Sequence, residues 1–307
     1  MVTLVTGASG FLGSRLVERL ATGGREVVAI SKSRPSNMQH LKSNVHWIEQ
    51  DITQDNFNLS WLKKIDAVVH LAGTKDCSNN NAIPFLIGNE KSTINLLQAV
   101  AEKTNLFIFA SSQMVYGNTK HTAVTEDFLL RPHDSPYGCS KVNSENWMRL
   151  FQAKYGGRYL ALRFCGFIDG GGFIDYLINQ ALLKKNIQLH GKGNVFRDYL
   201  SSADGVGALV AAVNFCGTAG FFPINIGSGQ LFSTLQLAEL VCDEFNSPSQ
   251  IDLKEDPPLK EDFVFCIDRA IKLLNFQPDK LNDAVSQYAK YRHGLSRGVS
   301  NAKNQHG

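Results

Sequence analysis

The residues in this sequence best suited to chemistry are a tyrosine and a lysine four positions apart. Tyr137 and Lys141 would lie on one face of a helix, because side chains at this spacing are neighbours on a helical surface. The ammonium group would stabilise a phenolate, so the pKa of Tyr137 is predicted to fall from about 10 towards working pH. Tyr137 is therefore a candidate general acid/base. The alternative is an exposed helix pair without a function, since this spacing is common by chance.

A glycine-rich turn near the start of the chain predicts a phosphate-binding site. An apolar run over Val2 to Val5 leads into Gly7, Gly10 and Gly13, and an amphipathic stretch follows. Such a strand, turn and helix let the backbone approach a pyrophosphate and offer it the N–H groups of the helix N-terminus. The spacing G-x-x-G-x-x-G differs from the G-x-G-x-x-G fingerprint. A purely structural turn is therefore the alternative to dinucleotide binding.

The end of the second apolar run bears on which dinucleotide would bind. The run from Glu26 to Ile30 ends in Ser31, Lys32, Ser33 and Arg34, without the acidic residue that usually holds the ribose 2′-hydroxyl of NAD. Cations and hydroxyl groups suit an adenosine 2′-phosphate instead. We therefore expect NADP(H) in preference to NAD(H), with Ser31, Lys32 and Arg34 as phosphate ligands. The alternative is a solvated basic loop beside a bound NAD.

Further apolar runs alternate with helical patterns and indicate the class of fold. Val45 to Ile48, Ala67 to Leu71 and Leu106 to Ala110 read as buried strands, and 89–102 reads as a helix. This alternation predicts an α/β protein with a doubly wound parallel sheet, a Rossmann fold. Ligands of such sheets bind outside the carboxyl ends of the strands. His70, at one such end, is expected to be structural.

The bulk composition excludes several classes of protein. The 307 residues are 43% hydrophobic and 19% charged, with a net charge of +3 spread along the chain and no apolar window of membrane-spanning length. Neither membrane insertion nor nucleic-acid binding is expected. The six cysteines never form Cys-x-x-Cys, so no metal site is expected. Since the first apolar run passes directly into the glycine turn without a signal-peptide pattern, we expect a cytoplasmic protein.

Taken together, the motifs resemble the extended short-chain dehydrogenase/reductase family, in particular the NAD(P)-dependent epimerase/dehydratase group that modifies nucleotide sugars. The resemblance spans most of the chain. It is carried by Thr6-Gly7-x-x-Gly10-x-x-Gly13, Asp51-Ile52, His70-Leu71-Ala72-Gly73, Asn89 with Thr93 and Asn95, Ser111-Ser112-x-x-Val115-Tyr116-Gly117, Tyr137-Gly138-x-Ser140-Lys141 with Glu145, Leu162-Arg163, Gly191-x-Gly193 with Arg197-Asp198, Asp204, and Asn225-x-Gly227-x-Gly229.

The resemblance implies roles for these residues. Ser112, Tyr137 and Lys141 would be catalytic, with Lys141 also holding the nicotinamide ribose, and Ser112, Tyr137 and Arg197 would contact the substrate. The implied chemistry is hydride transfer at a sugar carbinol or ketone. The residues expected to bind the cofactor are Gly7, Gly10, Phe11, Leu12, Gly13, Ser31, Lys32, Arg34, Asp51, Ile52, Leu71, Ala72, Gly73, Asn89, Tyr137 and Lys141.

Departures from the family pattern narrow the reaction. In family members that dehydrate sugars, the two residues after the catalytic hydroxyl resemble an Asp-Glu pair. This chain has Gln113 and Met114 there, and neither can act as an acid or a base. Dehydration and decarboxylation are therefore disfavoured. Gly166 stands where the family often places an asparagine close to the substrate phosphates. This leaves room for a substrate other than a nucleotide sugar.

Three functions remain. The basic loop at Ser31 to Arg34 favours a nucleotide-sugar 4-ketoreductase that uses NADPH. The first alternative is a 4-epimerase similar to UDP-glucose 4-epimerase, with tightly held NAD. The second is a regulatory dinucleotide-binding protein without turnover, which would have no need of the catalytic set. By analogy with the family, the helices at 89–102 and 137–154 suggest a homodimer.

The chain is expected to divide into two lobes. Residues 1–165, with a returning segment at about 196–230, would form the dinucleotide-binding domain. Residues 166–195 and 231–291 would form a smaller α/β lobe that binds the substrate, with terminal helices at 268–275 and 281–291. The polar segment 292–307 is expected to be a frayed tail.

Overall fold

Seven parallel strands form the central sheet of the computed structural model, which describes residues 1–35, 43–75, 81–132, 135–258 and 261–303. The central sheet contains β1 Val2–Thr6, β2 Glu26–Ser31, β3 Val45–Glu49, β4 Ala67–His70, β5 Leu106–Ser112, β7 Arg158–Phe164 and β11 Gly220–Ile226. The other strands within the described ranges form two-stranded pairs: β6 His121–Val124, β8 Gly166–Phe167, β9 Ile187–Leu189, β10 Tyr199–Leu200, β12 Ile251–Leu253 and β13 Phe263–Phe265.

The sheet has the order β11-β7-β5-β4-β1-β2-β3, and all its pairs are parallel. The chain runs from β1 outward to β3 and then returns to β4 on the other side of β1. This reversal creates a crevice at the carboxyl ends of β1 and β4, where ligands of doubly wound sheets bind. The predicted Rossmann fold is confirmed.

Helices cover both faces of the sheet. They are α1 Phe11–Thr22, α2 Ile83–Phe85, a π-helix Leu86–Lys91, α3 Ser92–Val100, α4 Pro136–Tyr155, α5 Phe173–Leu182, α6 Ser202–Val213, α7 Thr234–Phe245, α8 Asp268–Leu274 and α9 Leu281–Lys303. No helix within the described ranges is long and apolar enough to cross a lipid bilayer.

The apolar core has one layer on each face of the sheet because the parallel strands bury side chains on both sides. Leu16 of α1 and Leu209 of α6 belong to one layer, and Leu97 of α3 and Met148 of α4 belong to the other. All four residues of β4 are buried, as its near-continuous apolar sequence predicts. The sheet is thus a rigid base for the loops that follow its strands.

A third apolar cluster lies beyond the sheet. It is built from α5, α7 and α9, with Leu177, Leu237 and Val285 fully buried among them. The pair β9–β12 lies against this cluster, while β11 lies at the edge of the main sheet beside β7. The division of the chain into two lobes stays a prediction.

Fraying of the segment from residue 292 stays a prediction, although the structure describes this segment as helical as far as Lys303. Helix α9 continues to that residue. Its continuation is anchored at Arg292, whose guanidinium contacts the carboxylate of Asp175 and donates to Asn179 Oδ1 at 2.8 Å, both on α5. Tyr288, one turn earlier, donates to the same carboxylate at 2.8 Å. The polar composition of the segment conceals these anchoring contacts.

Candidate active site

Tyr137 stands in the first turn of α4, beside the end of β5. The turn is well defined because Pro136 occupies a first-turn position and Ser135 caps the helix, its Oγ accepting from the Gly138 nitrogen at 3.0 Å. The side chain of Ser112, the last residue of β5, interacts with the phenol of Tyr137 and acts to lower its pKa. The structure therefore brings together two of the three residues expected to be catalytic.

Lys141, the third expected catalytic residue, is buried one turn further along α4. Its Nζ donates to the carbonyl oxygen of Ala110 at 2.8 Å and lies 4.5 Å from the centre of the Phe109 ring. Burial lowers the pKa of Lys141 to about 8, and the charge of Glu145 acts in the opposite direction. The ammonium group lies 5.6 Å from the centre of the Tyr137 ring.

The expectation that the pKa of Tyr137 is lowered is wrong in this structure. Although the side chain of Tyr137 is partly exposed, desolvation raises the pKa of its phenol, and the interaction with Ser112 opposes this only in part. The ammonium of Lys141 donates to a backbone carbonyl instead of to the phenol. Tyr137 therefore keeps its proton at neutral pH and is suited to donate it.

A cavity of about 310 Å³ opens at the carboxyl ends of β1, β2 and β4. It contains nine of the residues expected to bind the cofactor. Seven further residues that were not predicted from the sequence also line it. They lie next to the expected residues on the same loops and helices, and this closeness in the chain is the only feature by which the sequence could have indicated them. The expected nine are Gly7, Gly10, Ser31, Lys32, Asp51, Ile52, Leu71, Ala72 and Gly73, and the additional seven are Ser9, Ile30, Gln50, Thr53, Thr74, Gly88 and Ser92.

The glycine turn at one end of this cavity fits a dinucleotide. Gly7 has φ +65°, and a Cβ there would lie 2.6 Å from the backbone nitrogen of Ala72. A Cβ on Gly13 would collide with the carbonyl group of Gly7, and the Gly10 nitrogen donates to that same carbonyl oxygen at 2.9 Å. Only glycines let the turn lie this close to the strand and to the start of α1.

The basic loop after β2 borders the cavity and is partly paired. Lys32 Nζ lies 3.0 Å from Asp51 Oδ2, while its side chain remains 73% exposed. Burial would raise the pKa of Asp51, but hydrogen bonds from Thr53 and the hydrogen bond and charge of Lys32 outweigh it and lower that pKa to about 2. Ser31 Oγ donates to the Ser33 carbonyl at 2.7 Å, and the Arg34 guanidinium lies 5.9 Å from the Trp47 ring centre.

Asn89 joins the rim of the cavity to the catalytic helix. It lies in the π-helix, so the helix expected over 89–102 begins earlier than predicted and changes its hydrogen-bond pattern after Lys91. The buried carboxamide accepts from the Thr74 nitrogen at 2.7 Å and donates to the Thr74 carbonyl at 3.1 Å and to Ser140 Oγ at 2.8 Å. Both N–H donors and the carbonyl oxygen of the amide are thus used inside the protein.

Arg197 contacts β13 and the segment just before it. Its Nη1 donates to the carbonyl oxygen of Glu261 at 3.0 Å, and its guanidinium lies 6.0 Å from the Phe263 ring centre. The next residue, Asp198, is buried and accepts hydrogen bonds from Ser228, Gly229 and Phe265. The backbone that carries Arg197 is therefore firmly held.

The packing explains why glycine stands at position 166 and histidine at position 70. Gly166 packs under Tyr199, because a Cβ there would lie 3.0 Å from the tyrosine ring. His70 is buried between two threonines, with Nδ1 2.7 Å from Thr6 Oγ1 and Nε2 3.0 Å from Thr93 Oγ1. Burial, and then the charge of Lys141, lower the pKa of His70 to about 3. His70 is thus neutral, in agreement with the structural role expected for it.

Within the described part of the chain, no three histidine, cysteine, aspartate or glutamate side chains come together as metal ligands do. The site is therefore built from a Ser-Tyr-Lys set, a glycine turn and a cavity between strand ends. Seven residues that were also expected to bind the cofactor do not line that cavity: Phe11, Leu12, Gly13, Arg34, Asn89, Tyr137 and Lys141.

Comparisons with known proteins agree with this architecture. UDP-glucuronic acid 4-epimerase from Bacillus cereus, solved in complex with NAD, superposes with a TM-score of 0.82 and 29% identity, covering 97% of this chain and 98% of that one. A dTDP-4-dehydro-6-deoxyglucose reductase from Escherichia coli is 27% identical, covering 94% of this chain and 96% of the relative. The UDP-glucose 4-epimerase of Haemophilus influenzae is 29% identical, with coverages of 78% and 81%.

The model of the NAD dependent epimerase/dehydratase family matches residues 3–227, which contain the glycine turn, Ser112, Tyr137 and Lys141. The resemblance inferred from the motifs is confirmed: this chain belongs to the NAD-dependent epimerase/dehydratase family.

Proposed function

We propose that this protein is an NADP(H)-dependent ketoreductase that acts on carbon 4 of a nucleotide sugar. The observation that carries the proposal is the grouping of three side chains: Ser112 interacts with the phenol of Tyr137, and Lys141 is buried on the next turn of the same helix. Support for the substrate class comes from the relatives named above, which are described as 4-epimerases of UDP-sugars and a reductase of a dTDP-sugar.

The proposed roles follow from the chemistry of the side chains. When bound, the reduced nicotinamide supplies a hydride to the carbonyl carbon of the sugar. The Ser112 hydroxyl donates a hydrogen bond to the carbonyl oxygen, and Tyr137 transfers its proton to that oxygen as negative charge develops there. The Lys141 ammonium then stabilises the tyrosinate that remains. The raised pKa of Tyr137 suits a proton donor.

The neighbours of Ser112 limit the proposal to proton transfer at a single carbinol. Gln113 and Met114 follow it in a short 3₁₀-helix, and neither can take up or release a proton in catalysis. Elimination of water would need a second acid/base pair at neighbouring carbon atoms. A simple oxidation or reduction needs none.

The preference for NADP(H) rests on the loop after β2. Lys32 is mostly exposed at the edge of the cavity, and the described part of that loop contains no carboxylate. A 2′-phosphate beside Ser31 would meet this ammonium and the hydroxyl of Ser31. Arg34, close to Trp47, is the second cation expected to contribute.

A 4-epimerase with tightly held NAD is the second candidate. The observation that favours it is the ion pair between Lys32 and Asp51, which already compensates part of the charge that a 2′-phosphate would use. The B. cereus relative is a 4-epimerase solved with NAD. An epimerase would use the same Ser112 and Tyr137, in both directions of proton transfer.

We also propose a homodimer built on the exposed apolar face shared by the π-helix and α4. Leu86 and Ile87 are 48% and 43% exposed, and Leu150 is 55% exposed. Asn143 of α4 donates to Glu90 of the π-helix at 3.1 Å, so the two elements lie side by side. Sedimentation should show a dimer that Leu150→Glu dissociates. The control Leu183→Glu, also at an exposed leucine but just after the end of α5, should leave it intact, and a monomeric wild type would contradict the proposal.

Mass spectrometry of the sugar product tests the proposed reaction. The protein is incubated with nucleotide sugars and with their 4-keto forms, with and without NADPH. A gain of two hydrogens on the 4-keto substrate, dependent on NADPH, is the expected result. Isomerisation without added cofactor would identify the epimerase instead, and no change in any nucleotide sugar would overturn both candidates.

A further inference from the structure

Three consecutive residues at the end of β5 contact three successive turns of α4. The helix residues are spaced by four, so they share one face of the helix. Two of the three contacts involve residues with proposed catalytic roles, and the third involves a glutamate that the proposed chemistry does not use. The pairs are Ser112 with the Tyr137 phenol, whose pKa it acts to lower, Ala110 O with Lys141 Nζ at 2.8 Å, and Ser111 Oγ with Glu145 Oε1 at 2.6 Å.

The carboxylate of Glu145 is buried and held on both oxygens. Arg163 Nε donates to Oε1 at 3.0 Å and Nη2 donates to Oε2 at 2.7 Å, while Ser111 supplies a further hydrogen bond to Oε1. The side chains of Glu145 and Arg163 are each 1% exposed. A carboxylate held by three donors has no freedom to rotate, so its charge has a fixed place beside the catalytic helix turn.

Arg163 is itself fixed from behind. Its Nη1 donates to the hydroxyl oxygen of Tyr116 at 2.7 Å and to the carbonyl oxygen of Glu126 at 3.3 Å, and Tyr116 in turn donates to Asn225 at 2.7 Å. Burial opposes the charge of Arg163, but the hydrogen bonds and charges of Glu145 and Tyr116 outweigh it and raise the guanidinium pKa. Arg163 therefore keeps its positive charge beside the carboxylate of Glu145.

Lys141 has few charged or titratable neighbours. They are Tyr137 and Glu145 on α4 and the neutral His70 on β4, with Arg163 on β7 behind the glutamate. Burial lowers the pKa of Lys141, and within the described ranges Glu145 is the carboxylate that opposes this shift. The charge of Lys141 thus depends on a group that does not touch the proposed substrate site.

We propose that Glu145 is a positioning residue that acts through Lys141. Clamped by Ser111 and Arg163, its carboxylate keeps the lysine ammonium charged and directed at the end of β5, where that charge serves Tyr137. This inference rests on the proposed function, because it assigns Lys141 its part in hydride-transfer chemistry. It adds the group that keeps the side chain of Lys141 positively charged, although burial at this site favours the neutral amine.

Glu145→Gln keeps the shape of the side chain and removes its charge. Loss of a nearby opposite charge should lower the pKa of Lys141 by about one unit, so the alkaline fall of kcat moves to lower pH by about one unit. At pH 8 this corresponds to roughly a fivefold loss of kcat, with an unchanged KM for the sugar. Asn146→Ala, at the exposed next position, is the matched control and should leave the profile unchanged. A uniform loss of kcat at every pH would overturn the proposal.

A second variant distinguishes the proposed effect from unfolding, because Glu145→Gln leaves the buried Arg163 without its charged partner and could destabilise the fold. In the double variant Glu145→Met with Arg163→Met, both charges are removed and apolar groups of similar length fill the space. It should fold, as judged by circular dichroism, and show the same shift of the alkaline limb. A folded double variant with the wild-type pH profile would contradict the role assigned to Glu145.

Cofactor binding provides a measurement that does not depend on the substrate. Lys141 is expected to hold the nicotinamide ribose, so NADPH affinity should decline through pH 8 in the wild type and about one unit lower in Glu145→Gln. If no nucleotide sugar is turned over, the proposed function fails while this titration still tests the inference. Identical titrations for the two proteins would overturn the inference alone.

Discussion

The side chain of Ser112, at the end of β5, interacts with the phenol of Tyr137, in the first turn of α4. Desolvation raises the pKa of the phenol, so the tyrosine of this pair is a proton donor at neutral pH. The buried Lys141 supplies the positive charge that a tyrosinate would need after the transfer. The predictions below follow from this arrangement and from the cavity beside it.

Replacing Tyr137 by phenylalanine should abolish most turnover without loss of the cofactor. General acid catalysis contributes about 10²- to 10⁴-fold, so kcat should fall within that range. The ring and the helix turn remain, and NADPH affinity should stay within about threefold of the wild type, because only one hydroxyl is lost. Steady-state rates and a fluorescence titration of NADPH measure the two effects. Turnover near the wild-type rate would mean that another group donates the proton.

The rate of ketone reduction should fall as pH rises through about 8. Burial depresses the pKa of Lys141 from 10.5 to about 8, so the ammonium is present below pH 8 and is lost above it. Tyr137, with a raised pKa, still holds its proton there. The pH dependence of kcat, measured on a protein shown to be folded at each pH, checks this. A rate that stays constant up to pH 10 would exclude the assigned role of Lys141.

Cations of the loop after β2 should discriminate between the two nicotinamide cofactors. Lys32→Ala should weaken NADPH binding by about tenfold, as expected for the loss of one charge-assisted contact to a phosphate, and should leave NADH binding almost unchanged. Lys64→Ala, at another exposed lysine, is the control. Isothermal titration of both cofactors gives the ratio. Equal or tighter binding of NADH by the wild type would favour the epimerase.

The glycine turn should tolerate no side chain at Gly7. Alanine there would lie 2.6 Å from the Ala72 nitrogen, so the turn must shift away from the cofactor cavity, and NADPH affinity should fall by at least about a hundredfold. Gly24→Ala is a matched control, because its φ is also positive, at +79°, but the space around it is open. Normal cofactor binding by Gly7→Ala would show that the turn does not contact the dinucleotide.

The buried ion pair should matter for stability when only one partner is removed. Arg163→Met leaves the Glu145 carboxylate buried without its cation, which should lower the free energy of unfolding by about 3–5 kcal/mol. Arg19→Met, at an exposed arginine of α1, should change it by less than about 1 kcal/mol. Urea denaturation followed by circular dichroism measures both. A change below 1 kcal/mol in Arg163→Met would argue against a tightly held pair.

Local periodicity predicted the sheet and the glycine turn, and residue spacing singled out Tyr137 and Lys141. The catalytic role of Ser112 was implied only by the resemblance to the family. Sequence patterns predicted the wrong direction for the pKa of Tyr137, since desolvation and the bond from Lys141 to Ala110 arise from packing between distant segments. The internal use of the Asn89 amide was equally hidden.

The role of Glu145 shows the same limit from another direction. The motif after Lys141 contains the glutamate, but its significance depends on Ser111 and Arg163, which other strands bring to it. Spacing along the helix places Glu145 one turn beyond Lys141. Only the packed structure shows that its charge is buried and held in place.

Transfer of deuterium from NADPH that carries deuterium at both hydrogen positions of nicotinamide C4 is the most direct test of the central claim. The product formed from a 4-keto nucleotide sugar is analysed by mass spectrometry, with the wild type and Tyr137→Phe compared under the same conditions. We expect one deuterium per product molecule in the wild type. Labelling should be at least about a hundredfold slower in Tyr137→Phe, because the proton donor is lost. An unlabelled product, or equal labelling rates in the two proteins, would contradict the central claim.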